Sequence, residues 1–454
     1  MGGTWPKVIR DPVHGIVPFE DTKRDQLLLE LINTREFQRL RRIKQLGMSE
    51  FVFPGANHSR FAHSIGVMHT ARMFLKSLME KESKGLSPET QAAILSAALL
   101  HDLGHGPFSH AFEKVTGQKH EKYTLEVIRN PKTEVNKRLR KFSKDLPKHV
   151  AAFFDEPVDD RKLKAAGIPK YVVQIVSSQL DADRSDYLLR DSHATGADYG
   201  KFDLPWLVHH LYPNPKKDKY YIGKKAFSTA EQYVFCRYHM YRSVYFHKTT
   251  RAAEVMLRLL FKRFAEVLKK GKILDVANRV APGASPVLVK AFAKKSLTLD
   301  GYLGLDDFSI NEFFKSAAVG KDKTMAALAN GLLHRRLYKA VDVSDAGEAS
   351  QKFFENAQEI AKSKQSEVGL AEDCLLEKDS IADTPYKPYE IDAEKPAEMI
   401  FVEDSAGRVQ ELSKYSKGVE GLKDRYVLLR YYFPLKLRKP MDKLASRLLK
   451  EVKS

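Results

Sequence analysis

The stretch LLHDLGHGPFSH at residues 99–110 places three histidines and a carboxylate within ten residues at the end of an apolar segment. The segment before it, residues 87–100, opens with a serine and a proline and then becomes almost wholly apolar, which is the pattern of a capped, buried helix. Gly104 ends such a helix and lets the later histidines fold back toward His101. Because an unpaired buried polar group costs several kcal/mol, this cluster needs a partner, and a metal ion is the most economical one.

The His101-Asp102 pair supplies one imidazole nitrogen and one carboxylate oxygen, which is half of a four-ligand set for a first-row divalent ion. Two further ligands are available on other predicted helices: His63 begins one amphipathic segment and Asp183 lies on another. These four residues are the candidate metal ligands. Mixed imidazole and carboxylate ligation favours Fe, Mn, Zn or Ni over Ca, and it leaves positions open for water and a phosphate oxygen.

The order His63, His101-Asp102, Asp183 resembles the H…HD…D metal set of the HD-domain phosphohydrolases. Further blocks resemble the deoxynucleoside triphosphate triphosphohydrolases of the SAMHD1 type and their bacterial relatives, over about residues 7–260. These blocks are KVIRDPVHG at 7–15, FQRLRRIKQLG at 37–47, VFPGA at 52–56 and YFHK at 245–248. The resemblance implies water attack at the α-phosphorus of a (deoxy)nucleoside triphosphate, releasing nucleoside and intact triphosphate.

The resemblance also assigns catalytic roles around the metal set. Because the sugar 5′ oxygen leaves as a poor alkoxide, a general acid is needed, and by motif position this is His110. Glu113, one helical turn on, is placed to orient and charge it, where the family often has Asp. His105 and His120 match two further histidines that contact phosphate.

A nucleotide pocket is implied in the same way. Arg60 matches an arginine that holds the α-phosphate, because a planar guanidinium suits two oxygens. A Mg²⁺ ion on the triphosphate is part of this expectation. The remaining matches contact the β and γ phosphates (Arg184 in place of the more frequent Lys, Arg237, Lys248), the sugar 3′-hydroxyl (Gln45, Asp191) or the sugar face (Leu46, Tyr187, Tyr245).

Family members are frequently tetramers activated by a nucleotide bound between subunits, so the resemblance implies a homo-oligomer, dimer or tetramer, and a nucleotide effector. The matching positions are Lys7, Val8, Asn33, Gln38 and Arg41. Asn33 replaces the family's acidic guanine reader, and an amide offers one acceptor where guanine presents two donors. The identity of the effector therefore stays open.

Composition and missing motifs narrow the classes of function that this chain could have. The formal charge of +18 predicts an anionic partner, which fits nucleotides and nucleic acids alike, so an HD-type nuclease or nucleic-acid-binding phosphodiesterase is the alternative. A cyclic-dinucleotide phosphodiesterase is disfavoured because the Gly-Tyr-Pro signature is missing, and a non-catalytic scaffold because all four ligands are present. Two cysteines and no apolar run long enough for a membrane span predict a cytoplasmic protein without a membrane partner.

The hydrophobic pattern predicts a mostly α protein, with a helical core over residues 1–270 and a smaller α+β C-terminal lobe over residues 271–454. The resemblance implies that the helical core is an HD catalytic domain. Helices are predicted at 25–33, 88–103, 228–248, 252–270 and 324–341, and one from 170–178 that leads into the Asp183 helix. Strands are predicted at 218–223, 399–403 and 425–433, with a loop at Pro385 and Pro388.

Overall fold

Helices make up most of the computed structural model, which describes residues 5–82, 85–108, 110–155, 159–214, 218–294, 297–344, 346–383, 386, 399–423 and 426–448. The predicted loop at Pro385 and Pro388 lies outside the described residues, and so does the side chain of His110. A mostly α fold was the prediction, and it is confirmed.

The helices up to residue 209 are α1 (Lys23–Ile32), α2 (Arg35–Gln38), α3 (Arg60–Met79), α4 (Pro88–Leu100), α5 (His110–Thr116), α6 (His120–Arg129), α7 (Glu134–Phe142), α8 (Leu146–Ala151), α9 (Asp160–Ala165), α10 (Lys170–Val173), α11 (Ala182–Thr195) and α12 (Leu204–His209). The later helices are α13 (Phe227–Met240), α14 (Lys248–Val267), α15 (Ile273–Val280), α16 (Pro286–Lys294), α17 (Leu299–Leu303), α18 (Asp307–Ala318), α19 (Lys323–Leu333), α20 (Ala349–Ser363), α21 (Gln365–Val368), α22 (Leu412–Tyr415), α23 (Lys417–Glu420) and α24 (Arg438–Leu448).

Three helices position the predicted metal ligands. Helix α4 forms because Ser87 caps it by accepting from the amide of Thr90, 3.1 Å away, and because Pro88 occupies the first turn, where no amide bond is lost. Its apolar stretch at 92–100 is fully buried. Since α3 packs against both α4 and α11, the three helices bring their polar residues to one place.

Within the described residues, the strands form three small sheets. They are β1 (Lys7–Asp11), β2 (Gly15–Phe19), β3 (Leu211–Asn214), β4 (Lys219–Ile222), β5 (Lys339–Asp342), β6 (Glu377–Asp383), β7 (Phe401–Glu403), β8 (Val409–Glu411) and β9 (Tyr426–Phe433). The first two make an antiparallel hairpin in which Lys7 faces Phe19. The other sheets have the orders β3-β4-β7-β8 and β5-β9-β6.

The C-terminal half has its own apolar core, and this core reaches into the loop after α4. It is built around α14, α18, α19 and β9, and it includes Phe108, Phe112 and Tyr123. Tyr302 stacks on Tyr123 with 3.5 Å between ring centroids and donates a 2.8 Å hydrogen bond to the carbonyl of Gly104. The two halves of the chain therefore share packing beside the predicted site.

Buried polar contacts join the same regions. Arg39 donates to the carbonyl oxygens of His105 and Leu305, each at 2.8 Å. The carboxylate of Asp307 accepts from the backbone amides of Lys44 and Phe108 at 2.8 and 3.0 Å. The loop that follows α4 is thus held by side chains and backbone from residues 302–307.

Three predicted helices are wrong in extent. The α-helix predicted at 228–248 ends at Met240 and is followed by a π-helix over Tyr241–Tyr245. The segment 170–178 does not run into the Asp183 helix: α10 ends at Val173, and α11 begins at Ala182 with Asp181 as its cap, accepting from the amide of Arg184. The helix predicted at 324–341 ends at Leu333, because Arg335 adopts a positive φ of 55° and the chain continues as β5.

No helix within the described ranges has both the length and the apolar character needed to span a membrane.

Candidate active site

Three predicted metal ligands meet at one point. The ligand atoms of His63, His101 and Asp183 all lie within 4.8 Å of one another. His63 Nε2 is 3.0 Å and His101 Nε2 is 3.5 Å from Asp183 Oδ1. The fourth, Asp102, is adjacent: its Oδ1 is 3.3 Å from His101 Nε2, and its Oδ2 is 3.8 Å from His63 Nε2.

The donor set fits a divalent metal ion. His101 Nδ1 lies 2.9 Å from the carbonyl of Ala98, so this nitrogen carries the proton and Nε2 is the one presented to the cluster. That buried Nε2 makes no hydrogen bond with any residue the structure describes. His63 has the same orientation, because its Nδ1 lies 2.8 Å from Asp186 and its Nε2 faces Asp183. Two imidazole nitrogens and two carboxylates converge, as a transition-metal ion requires.

The electrostatics of the cluster favour positive charge. Burial alone would lower the pKa of His63, but its hydrogen bonds with Asp183 and Asp186 raise that pKa to about 10. Burial opposes ionisation of Asp102 too, yet Arg60 holds its carboxyl pKa well below the usual range. The pKa of Asp183 is lowered against burial by His101 and His63. Protons and a metal ion therefore compete for this site.

Arg60 and His105 flank Asp102. The Arg60 guanidinium contacts Asp102 Oδ2 through Nη1, and its side chain is buried at the start of α3. His105 Nε2 lies 3.2 Å from Asp102 Oδ1. Burial, followed by the charge of Arg60, lowers the pKa of His105 to about 3, so its ring is neutral near neutral pH.

The remaining predicted catalytic residues form a second cluster beside the first. The ligand atoms of His105, Glu113 and His120 lie within 4.8 Å of one another. His120 Nδ1 is 2.7 Å from Glu113 Oε1, and its ring stacks on that of His105 with centroids 3.9 Å apart. His110 begins α5, so its backbone lies one turn before Glu113.

A cavity of about 500 Å³ opens beside the two clusters. Its lining includes six of the residues predicted to bind substrate and one predicted catalytic residue. They are Gln45, Leu46, Arg60, Tyr187, Asp191, Tyr245 and Glu113. The volume suits a nucleotide-sized ligand, since such pockets commonly measure about 300–1,000 Å³.

One wall of this cavity is organised around Asp191. Its carboxylate accepts from Tyr245 Oη at 2.7 Å and lies 2.8 Å from His58 Nε2. Tyr187 packs edge to face against Tyr245 with 6.2 Å between centroids. Gln45 Oε1 is buried and accepts no hydrogen bond from the described part of the chain, which leaves an acceptor at the wall.

The contact of His58 with Asp191 was missed by sequence reasoning. The residue lies two positions before Arg60, so its neighbourhood was recognisable. Its partner is 133 positions away, and no local pattern shows that separation.

The predicted triphosphate contacts are not among the residues that line this cavity in the described chain. Arg184 is held by Asp181 and by the carbonyl of Ser178, both through Nη1. Arg237 is buried and lies over the ring of Tyr241, with 5.3 Å between guanidinium carbon and centroid. Lys248 is exposed at the start of α14.

Some predicted effector residues share a separate cavity of about 480 Å³, lined by Lys7 and Asn33 among others. Val8 is exposed on β1. Gln38 donates to the carbonyl of Ile32 at 2.7 Å. Arg41 donates to Gln38 at 2.8 Å and lies over the ring of Phe61.

Comparisons with known proteins match the part of the chain that carries the site. Residues 60–191 match the model of the HD domain, and residues 202–278 match the HD associated region. The chain is 37% identical over 416 residues to the uncharacterized protein YwfO of Bacillus subtilis, covering 92% of this chain and 89% of that protein. It is 33% identical over 288 residues to the deoxynucleoside triphosphate triphosphohydrolase SAMHD1 of Mus musculus, covering 55% of this chain and 43% of the mouse protein.

A crystal structure of a phosphohydrolase from Bacteroides thetaiotaomicron superposes with a TM-score of 0.78 at 26% identity, covering 94% of this chain and all of that one. The match spans both halves of the fold. Together with the clustered His63, His101, Asp102 and Asp183, it makes the chain a member of the HD-domain phosphohydrolase family, with an HD domain followed by an HD associated region and with SAMHD1 triphosphohydrolases among its relatives.

Proposed function

We propose that this phosphohydrolase cleaves (deoxy)nucleoside triphosphates to nucleoside and triphosphate by water attack at the α-phosphorus. The observation that supports the proposal is one cavity whose walls carry side chains suited to binding phosphate and a sugar. The cavity is lined by Arg60, which contacts Asp102, and by Glu113, which pairs with His120. Gln45, Tyr187 and Asp191 line it as well.

The metal ligands would hold one transition-metal ion, Fe, Mn, Zn or Ni. When bound, such an ion polarises a phosphoryl oxygen and lowers the pKa of a water molecule. Arg60 binds the α-phosphate, because a guanidinium that contacts Asp102 through Nη1 carries further N–H donors for phosphate oxygens. A Mg²⁺ ion on the β and γ phosphates completes the proposed cofactors.

Proton transfer to the departing 5′ oxygen is assigned to His110. His105 is a poor donor because its pKa is lowered to about 3, so its neutral ring orients phosphate instead. Glu113 Oε1 lies 2.7 Å from His120 Nδ1 and fixes the orientation of the His120 ring next to the proposed phosphate site.

Sugar selection is assigned to the wall around Asp191. Gln45 Oε1 and the Asp191 carboxylate are alternative acceptors for the single O–H of the 3′-hydroxyl. Tyr187, held against Tyr245, packs on the sugar face where a 2′-hydroxyl would project. This arrangement favours deoxynucleotides.

A homo-oligomer with a nucleotide effector in the cavity of Lys7 and Asn33 belongs to the same proposal. Support comes from the position of that cavity beside the exposed hairpin residue Val8, where a second subunit has access.

The test is direct. Purified protein loaded with Mn²⁺ is incubated with each of the eight (d)NTPs, alone and in pairs, and the products are resolved by chromatography. We expect nucleoside and triphosphate, with the oxygen of ¹⁸O-labelled water in the triphosphate. Asp183→Ala should abolish the products, while Asp198→Ala, an exposed aspartate paired with Lys201, should not. Cleavage of nucleic acid without nucleotide hydrolysis would favour the nuclease alternative.

A further inference from the structure

The metal ligand His63 is the end of a buried chain of polar contacts that starts in the N-terminal hairpin. Its Nδ1 lies 2.8 Å from Asp186 Oδ2. Asp186 is fully buried on α11, one turn after Asp183. The two aspartates therefore contact opposite nitrogens of one imidazole, and Asp186 fixes which nitrogen faces the metal-ligand cluster.

Two other residues hold Asp186. His14 Nε2 lies 2.6 Å from Asp186 Oδ1. Arg190 donates to both carboxylate oxygens, through Nε at 2.8 Å and Nη2 at 2.9 Å. His14, Arg190 and Asp186 have side chains only 5%, 2% and 0% exposed, so the contacts are shielded from water.

The chain of contacts closes on the turn of the hairpin β1–β2. Arg190 donates to Asp11 Oδ2 at 2.9 Å through Nη1 and to Asp11 Oδ1 at 3.2 Å through Nη2. Asp11 Oδ1 also accepts from the backbone amides of Val13 and His14, each at 2.9 Å. The carboxylate that shapes the turn is thus the one that anchors Arg190, and the turn sets the position of the His14 ring.

Helix α3 packs closely against the hydrogen-bonded side chains of Asp186 and Arg190 on α11. Gly66 on α3 lies directly beside them: a Cβ atom there would be 1.9 Å from Asp186 Oδ1 and 2.3 Å from Arg190 Nη2. A glycine in the middle of a 20-residue helix costs about 1 kcal/mol relative to alanine. The space it leaves is filled by the carboxylate and guanidinium behind His63.

We propose that Asp11, His14 and Arg190 are positioning residues of the metal centre, and that the N-terminal hairpin sets its metal affinity through Asp186 and His63. The inference rests on the proposed function only in that the centre binds a divalent ion. A carboxylate behind a ligating imidazole fixes its tautomer and raises its basicity, and loss of such a contact typically weakens metal binding by about 10- to 100-fold.

The experiment measures Mn²⁺ affinity of the metal-free, full-length protein by competition with a fluorescent chelator, without nucleotide. His14→Ala is expected to weaken Mn²⁺ binding by about tenfold. His14→Gln should restore most of the affinity, because the Gln side-chain amide reaches the place of imidazole Nε2. With Co²⁺ as the probe, His14→Ala should also alter the visible absorption bands, since these report ligand geometry.

The matched control is His69→Gln. His69 lies on α3 with its ring centroid 5.3 Å from that of His14, outside the hydrogen-bond chain to Asp186. This variant should keep wild-type affinity. A merely structural role of His14 would lower the melting temperature of the metal-free protein and leave the affinity of the folded fraction unchanged.

Wild-type Mn²⁺ affinity in folded His14→Ala would overturn the proposal. If that variant is not recovered folded, the deciding variant is Asp11→Asn. It keeps His14 and His63, leaves an oxygen to accept from the amides of Val13 and His14, and weakens the anchor of Arg190. Unchanged affinity in this variant overturns the proposal equally. Failure of the proposed function looks different, because wild-type protein would then bind Mn²⁺ with the predicted dependence on His14 and yet leave nucleotides intact.

Discussion

At the residue scale, the site depends on which nitrogen of each imidazole already has a hydrogen-bond partner in the protein. His63 and His101 both have Nδ1 committed to a protein acceptor and Nε2 presented to the cluster. The four candidate ligands were recognisable from sequence, because the His-Asp pair and its spacing to His63 and Asp183 form a family motif. The groups that fix the ring orientation were not recognisable, because His14 and Asp186 are 172 positions apart.

Removal of a metal ligand tests the centre itself. Either His101→Ala or Asp102→Ala should abolish bound metal and nucleotide hydrolysis together, since each deletes a direct ligand. Metal content by mass spectrometry and turnover by chromatography measure the two effects. His193→Ala, an exposed histidine of α11, is the control and should change neither. Retention of both in a ligand variant would contradict the assignment.

Tyr187 tests sugar selection. Trimming it to alanine should narrow the gap between dATP and ATP turnover while lowering overall efficiency, because the clash with a 2′-hydroxyl and the positioning of the ring are both lost. The measurement is the ratio of kcat/KM values for the two nucleotides. Tyr199→Ala, a tyrosine 52% exposed, serves as the control. An unchanged ratio in Tyr187→Ala would show that another residue reads the sugar.

At the scale of elements, the helices that carry ligands were the most predictable. Their apolar faces and caps, such as Ser87 and Pro88 before α4, are local in sequence. Predicted boundaries failed where a local conformation interrupts an apolar pattern: Arg335 adopts a positive φ after α19, and Asp181 starts a new helix at α11. These features depend on single residues whose partners are set by tertiary structure.

The close approach of α3 and α11 is testable at Gly66. Helix propensity alone predicts that Gly66→Ala stabilises the protein by about 1 kcal/mol. We expect the reverse, a lowered melting temperature and weaker Mn²⁺ binding, because the added Cβ would collide with Asp186 and Arg190. Thermal unfolding with and without Mn²⁺ measures both. Gly85→Ala adds a Cβ that meets no atom within 4 Å and is the control.

At the scale of the whole molecule, the C-terminal half supports the loop of the active site. Asp307 accepts from the amides of Lys44 and Phe108, and Tyr302 stacks on Tyr123. The sequence predicted a smaller α+β lobe after residue 270. It gave no indication of these contacts, because they join residues far apart in the chain: 263 positions for Lys44 and Asp307, and 199 for Phe108 and Asp307.

Asp307 makes this support dependent on pH. Burial raises its pKa from 3.8 to about 6, so its protonated form favours folding: the contribution is complete below the unfolded-state pKa and is lost as pH rises through about 6. As the pH falls from about 8 to about 4, the free energy of unfolding of the wild-type protein should rise, relative to that of Asp307→Asn, by up to about 3 kcal/mol. Urea unfolding of both proteins across this range measures the difference. A constant difference would show that Asp307 does not titrate in this interval.

Arg39 ties the carbonyl of His105 to that of Leu305, and so connects the catalytic loop to a turn 200 positions later in the chain. In a genetic screen, substitutions in these two distant regions should therefore cause the same defect. Random substitutions that abolish hydrolysis without touching a ligand should accumulate at residues 302–307 as well as around the HD pair. Second-site revertants of a change in either region should be recovered in the other.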